Sequence, residues 1–323
     1  MSKLRAIVIG YGSMGKNHVR VLKSMNNVEL IGVVDPTFTE GLLDEPRLKL
    51  LKLDEIHSYS IDFAIVSVPT AAHEQVVLHL ISCGINFLVE KPISISIESA
   101  QIICDATERA GLIGVVGHIE RFNSALQQAK NRIEGGQLGD IYQIATRRQG
   151  PYPSRIGDVG VILDLMSHDI DLTSWVAGSP YSEIYGKSIT RSGRETEDMV
   201  CAVGQLEGGQ IVNHVVNWLS PLKERQVVVT GEKGTFVANT LTSELIFYDN
   251  PGQVLTHREL AHFKGVAIGE IVNYSFDKPE PLFVELSNFV DFLRGKNSTV
   301  VTLRDGLRVI EVAEKLKSSF ISE

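Results

Sequence analysis

The stretch LRAIVIGYGSMGKNHVRVLKSMNNVELIGVVD, Leu4 to Asp35, decides how the chain is read. Leu4 to Ile9 is a short apolar run rich in β-branched residues, the pattern of a strand buried on both faces of a parallel sheet. It runs into Gly10-Tyr11-Gly12-Ser13-Met14-Gly15, a G-x-G-x-x-G turn. Val19, Leu22 and Met25 then recur at helical spacing, and the pattern stops at Asn26-Asn27. Val28 to Val34 reads as a second strand that delivers Asp35 to its C-terminal end. In such a unit the first glycine permits the tight turn, the second lets backbone approach a pyrophosphate, and the third lets helix pack close to strand. The helix start offers free N–H groups and a positive dipole end to phosphates. Asp35, twenty residues beyond Gly15, is placed to accept hydrogen bonds from a ribose diol and to repel a 2′-phosphate. Glycine turns alone are common. Strand, turn, helix, strand and acid in this order predict a dinucleotide site built from Gly10, Gly12, Ser13, Met14, Gly15 and Asp35, with NAD favoured over NADP.

The chain has 323 residues, of which 43% are hydrophobic and 22% charged. That is length enough for two domains and an ordinary balance for a globular protein. No apolar run reaches the ~18 residues of a membrane span, and the first residues enter the first strand at once. Neither a span nor a signal peptide is expected, and a cytoplasmic location is. Cys83, Cys104 and Cys201 have neither disulfide nor zinc spacing and read as reduced core cysteines. The net charge of −8 argues against a general nucleic-acid or membrane-surface binder. An anionic substrate therefore needs a local basic patch.

Residues 37–60 are leucine-rich without a helical stripe and read as an irregular crossover. Order returns with a strand over Asp62 to Val68 that stops at Pro69-Thr70, and a helix through His73, Val77 and Leu80 follows. A strand from Asn86 to Val89 leads into Glu90-Lys91-Pro92; a helix from Ser96 to Ala110 and a strand from Ile113 to Gly117 complete the series. The alternation predicts a doubly wound parallel sheet, an N-terminal Rossmann domain over 1–120. Ligands of such sheets collect outside the carboxyl ends of the strands. The glycine turn, Asp35, Val68-Pro69-Thr70, Glu90-Lys91-Pro92 and Gly117-His118 all fall there. Beyond residue 120 the sequence reads as a helix over 121–133, a strand over 141–149, a loop at 150–160 and a helix over 161–175. Several strands follow between 183 and 248, two of them joined through Gly208-Gly209, and helices over 281–294 and 303–319 end the chain. This predicts a second, α+β domain over 121–323 with a largely antiparallel sheet, assigned to substrate binding and oligomerisation; the exposed face of that sheet is the expected interface of a homodimer or homotetramer.

Asp164 and His168 stand at i and i+4, so on an α-helix they share a face, and Asp171 continues the stripe. An imidazole oriented by a carboxylate is a good proton acceptor near neutral pH. A solvated ion pair and a metal site are the other readings. The surrounding Leu163, Leu165, Met166, Ile170 and Leu172 argue for a buried helix, where charges carry a cost and so a reason. Lys91 is either a solvent-facing charge or an ammonium that stabilises negative charge on a substrate oxygen. The bond before Pro92 is a candidate for the cis form.

Together, the turn IGYGSMG (9–15), Val68-Pro69-Thr70 with His73, Glu90-Lys91-Pro92, Asp164-x-x-x-His168 and VTGEKGTF (229–236) resemble the Gfo/Idh/MocA family of NAD(P)-dependent sugar and cyclitol oxidoreductases. The resemblance covers nearly the whole chain. It departs at the irregular 37–60 segment and at Val68, where a Thr is commoner. It implies that Lys91, Asp164 and His168 form the catalytic group, with no metal, His168 serving as the base or acid on the reacting hydroxyl. It also implies that Val68, Pro69, Thr70, His73, Glu90 and Lys91 join the cofactor site. Within the family, GHIERFNSA (117–125) and the stretch 147–172 are most similar to members that oxidise UDP-N-acetylglucosamine, or a related UDP-sugar, to a 3-keto sugar. His118, Asn123, Arg148 and Arg155 are then the expected substrate contacts. Arg147, Arg148 and Arg155 in an acidic chain suit a diphosphate, because guanidinium groups bind oxygens in pairs; as surface charges they need no ligand. A myo-inositol or free-sugar dehydrogenase, a nucleotide-sensing protein without turnover and a metal-dependent lyase are the alternatives.

Overall fold

A computed structural model describes residues 2–37, 48–153, 159–250 and 269–320. It divides into two compact units, Met1–Ile119 with Glu280–Glu314, and Glu120–Pro279 with Lys315–Glu323.

The first unit is built on a six-stranded sheet whose strands pair in parallel. Its strands are β1 (Leu4–Ile9), β2 (Val28–Val34), β3 (Lys49–Leu51), β4 (Phe63–Val66), β5 (Asn86–Glu90) and β6 (Gly114–Gly117), in the order β3-β2-β1-β4-β5-β6. Order reverses between β1 and β4, which is where the fold opens a crevice at the carboxyl ends. The connecting helices are α1 (Ser13–Ser24), α2 (His73–Ser82) and α3 (Ile97–Ala110). Ser96 caps α3, its hydroxyl accepting from the Ser99 N–H at 3.2 Å. Strand β3 corrects part of the irregular crossover: Lys49 to Leu51 pair with Gly32 to Val34. Three residues are too few for a periodicity to show. Residues 38–47 of that expected crossover lie outside the described residues.

The expected boundary is also corrected. Helix α6 (Pro281–Leu293) buries Leu282, Leu286, Phe289 and Val290, one stripe at helical spacing, in the same core as Ala6, Val8 and Phe63. Phe289 meets Phe63 edge-on at 5.4 Å between ring centroids. The Val116 N–H donates to the Val301 carbonyl at 2.9 Å, ahead of helix α7 (Leu303–Ser319). The chain thus returns to the first unit near its end, and 121–323 is not one continuous domain.

The second unit carries an eight-stranded sheet: β7 (Ile141–Pro151), β8 (Tyr181–Ile189), β9 (Met199–Leu206), β10 (Ile211–Asn217), β11 (Leu219–Gly231), β12 (Gly234–Asn239), β13 (Glu244–Asp249) and β14 (Ile271–Tyr274). The order is β14-β13-β12-β11-β7-β10-β9-β8, antiparallel throughout except for the parallel pair β7 and β10. Gly209, at φ +87°, closes the β9–β10 hairpin with its N–H on the Leu206 carbonyl at 2.9 Å. One face buries Ile144, Ala202, Val212, Val229, Phe236 and Leu245, and helices α4 (Ser124–Glu134) and α5 (Ser167–Ala177) pack against β12, β13 and β7. The other presents a cross-strand row of Tyr185, Val203, Asn213, Ala145, Val228 and Val237. This in-and-out alternation is that of an antiparallel sheet with one covered face.

Two expected helices start differently. Over 121–133, a single 3₁₀ turn (Ile119–Phe122) comes first; Asn123 then caps α4, its side chain accepting from the Ala125 N–H at 3.0 Å. Over 161–175, a π-helical turn (Ile162–Met166) precedes α5. Among the described residues no helix is long and apolar enough to cross a membrane.

Candidate active site

In the first unit, backbone clearances bear out the glycine pattern. A Cβ on Gly10 would lie 2.6 Å from the Ser67 carbonyl, and one on Gly15 would lie 1.9 Å from the Gly10 oxygen. Neither position tolerates a side chain. A Cβ on Gly12 would meet nothing within 4 Å, so this is where backbone lies open to a bulky ligand. Ser13 and Met14 open helix α1 beside it. Asp35 stands one residue beyond β2. Its Oδ2 accepts the Tyr11 N–H at 2.7 Å; its Oδ1 accepts the Thr37 N–H at 2.9 Å and the Thr37 hydroxyl at 2.6 Å. Burial pushes the carboxyl up, but the bonds from Thr37 and Tyr11 outweigh it and hold Asp35 below the ordinary carboxylate value. An ionised carboxylate has about four lone-pair sites, so capacity is left for a ribose diol. The open Gly12, the helix start and the oriented Asp35 fit NAD.

At the ends of β4 and β5 the expected site residues are tied into the fold. Pro69 precedes a 3₁₀ turn, Thr70–Ala72. His73, 1% exposed, turns its Nδ1 to the Pro92 and Ile93 carbonyls at 3.0 and 3.2 Å, and its Nε2 to the Val68 carbonyl at 3.1 Å. It braces one strand end against the next. Burial lowers its pKa against the pull of the three carbonyls and of Glu90. Glu90 is buried too: Oε1 meets His18 Nε2 at 2.6 Å, and Oε2 accepts the Lys91 N–H at 3.3 Å. The Lys91–Pro92 peptide is cis. His118 follows β6 and is buried, its N–H on the Val116 carbonyl at 2.9 Å.

In the second unit, Asp164 lies in the π-helical turn, 7% exposed, and His168 in the first turn of α5. Asp171, expected on the same stripe, is held by Arg121, whose Nε reaches Oδ2 at 2.8 Å and Nη2 reaches Oδ1 at 2.5 Å. Arg148 is buried between Asp169 (2.9 Å from its Nε) and Glu120 (2.9 Å from its Nη1). Burial works against the Arg148 charge, yet the two carboxylates raise its pKa above the ordinary value, so it stays protonated. The carboxylates share one guanidinium and part company: Arg148 overcomes burial to hold Glu120 low, whereas burial pushes Asp169 up.

Of the three arginines of the expected clamp, two are seen paired with carboxylates. Strand alternation sends neighbours to opposite faces, and Arg147 is exposed 3.8 Å from Glu224 while Arg148 points inward and is spent on carboxylates. Arg155 lies outside the described residues. Asn123 caps α4, and its amide donates to the Thr240 carbonyl at 3.0 Å, a structural role rather than the expected substrate contact. Among the described residues no group of three or more His, Cys, Asp or Glu could hold a metal ion. Sequence reasoning missed His18, Tyr11, Thr37, Arg121 and Asp169. Thr37, two residues after Asp35, carried a local signal, the side-chain-to-backbone turn that Asp favours; the other partners, 21 to 72 residues apart, carried none.

Comparisons with known proteins agree with this geometry. Residues 4–118 match the family model described as the oxidoreductase family with an NAD-binding Rossmann fold. Residues 126–237 match the GFO/IDH/MocA C-terminal domain. The scyllo-inositol 2-dehydrogenase (NAD(+)) of Bacillus subtilis is 24% identical across 98% of this chain and 94% of its own length. The UDP-N-acetylglucosamine 3-dehydrogenase of Acidithiobacillus ferrooxidans is 26% identical over 66% of each chain. The solved structure of that enzyme superposes with a TM-score of 0.87 at 21% identity, covering 99% of this chain and 98% of the other. Two matched domains in sequence, an open Gly12 beside an oriented Asp35, and a mostly antiparallel sheet behind Asp164 and His168 lead to one statement: the chain belongs to the Gfo/Idh/MocA family and is an NAD-dependent oxidoreductase of the dehydrogenase type.

Proposed function

We propose that this dehydrogenase oxidises a ring hydroxyl of a nucleotide-linked sugar, the 3-OH of UDP-N-acetylglucosamine or a related UDP-sugar, to a ketone. The observation that carries the substrate is the relative of that activity, matched over two thirds of each chain, together with the stretches 117–125 and 147–172. When bound, NAD supplies the hydride acceptor. His168 takes the hydroxyl proton as the C–H electron pair departs, Asp164 supports the imidazolium, and Lys91 donates to the same oxygen while negative charge develops there.

A second reading, oxidation of inositol or a free sugar, is favoured by a specific observation: the buried Arg148 is paired with Glu120 and Asp169 through Nη1 and Nε. The inositol relative also spans nearly the whole chain. A screen of NAD reduction with UDP-N-acetylglucosamine, UDP-glucose, scyllo-inositol, myo-inositol and glucose separates the two. Turnover confined to inositols and free sugars overturns the UDP-sugar reading; turnover confined to UDP-sugars removes the second. The open face of the eight-stranded sheet is the proposed seat of a second copy of the chain.

A further inference from the structure

His18 and Glu90 stand on elements that the topology keeps apart. His18 is on α1, one turn beyond Gly15, and is fully buried. Glu90 ends β5, two places across the sheet from the β1 strand that feeds α1. Their side chains meet at 2.6 Å. The other Glu90 oxygen faces the Lys91 N–H at 3.3 Å and lies 3.3 Å from where a Cβ on Gly117 would stand. Only glycine leaves that carboxylate its full clearance beside β6. Burial pushes the Glu90 carboxyl up, and the His18 hydrogen bond with the charges of His18, Lys91 and His73 outweighs it, so the group stays ionised. On the far side of the same turn, His73 faces the Pro92 and Ile93 carbonyls. The residues flanking Lys91 are thus tied down from both sides, and one tie runs to the helix that begins at the glycine turn.

We propose that His18 and Glu90 form a positioning pair for Lys91: the carboxylate, anchored by His18, fixes the backbone from which Lys91 projects. The inference rests on the catalytic role proposed for Lys91, and neither side chain of the pair need touch substrate or cofactor. A buried carboxylate with no surface role carries a desolvation cost, and holding a catalytic group in place is a return consistent with the geometry here.

The test is a cycle of Glu90→Gln and Lys91→Met, singly and together, with UDP-N-acetylglucosamine and scyllo-inositol as parallel substrates. Glu90→Gln is nearly isosteric, and its unfolding midpoint is measured alongside to check that it folds. It should lower kcat by up to ~10²-fold, the scale of a misplaced catalytic group, with a smaller change in KM and NAD affinity. Added to Lys91→Met it should have no further effect on kcat, since its target is already gone. His18→Gln, which keeps a donor, should recover most of what His18→Leu loses. A readout without substrate is the acylation rate of Lys91 followed by mass spectrometry with the other lysines as internal standards. It should change in Glu90→Gln. Unchanged kcat and unchanged Lys91 labelling in Glu90→Gln, or losses that multiply in the double variant, overturn the pair as a positioning device. Full turnover in Lys91→Met instead overturns the catalytic reading on which it rests.

Discussion

Asp35 is held before any ligand arrives, with one oxygen on the Tyr11 N–H and the other on Thr37. Pre-orientation of this kind lowers the cost of ordering a contact on binding. Asp35→Ala should therefore weaken NAD by about 1.5–3 kcal/mol, the scale of hydrogen bonds to a charged group, and should narrow discrimination against NADP. Titrating both cofactors checks it; an unchanged NAD-to-NADP ratio would place Asp35 away from the ribose. For proton transfer, His168→Asn should lower kcat by ~10²–10⁴-fold, the contribution of a positioned general base, while NAD affinity holds. The pH–rate profile should lose one ionisation in the variant. A variant that keeps its turnover and its profile would leave His168 as a packing residue.

At the scale of elements, the helix carrying His168 is held at both neighbouring acids, Asp169 by Arg148 and Asp171 by Arg121. Removing one partner of a buried pair strands the other, which costs about 3–5 kcal/mol. Arg148→Ala should accordingly lower unfolding stability on that scale, seen as a shifted urea midpoint. A diphosphate clamp would instead raise KM and leave the midpoint alone. Strands β7, β8 and β10 share a second buried device: His214 faces the Thr146 hydroxyl through Nδ1 and the Tyr181 hydroxyl through Nε2, each at 2.7 Å. Burial lowers its pKa to about 3, below the ~6.5 of an unfolded chain. The unfolded state then binds the extra proton between these values. Stability from this site is complete above pH ~6.5 and is lost as pH falls towards ~3, by up to ~1.4 kcal/mol per unit. Thermal melts at several pH values should show wild type losing stability on acidification faster than His214→Asn.

For the whole molecule, the consequential surface is the face of the eight-stranded sheet turned away from α4 and α5. Tyr185 and Val203 there are 55% and 52% exposed, and their registered neighbours Val228 and Val237 are only partly covered. Extended apolar faces of this sort mark association surfaces. Val203→Glu combined with Tyr185→Glu should convert a dimer to monomers in sedimentation without lowering the melting temperature of the chain. A particle of unchanged mass would move the interface elsewhere.

What the sequence by itself determined is the part whose physics is local. The Gly10–Gly15 turn, the buried parallel strands and the alternating strands of the second unit each follow from neighbours a few residues apart. Asp35 was legible because its distance from the turn is set by one strand–helix–strand unit. The assignments of residues within those elements were decided only in three dimensions. Arg148 reads as a ligand clamp until Glu120 and Asp169, 28 and 21 residues away, are seen to neutralise it. The partners of the Glu90 and His73 side chains, His18 for one and backbone carbonyls for the other, are set by the fold and not by sequence neighbours. Helix α6 reads as part of the second domain until Phe289 is found against Phe63. A periodicity states that a residue faces a core but not which core, and a charge states that it needs a counter-charge but not where along the chain that partner lies.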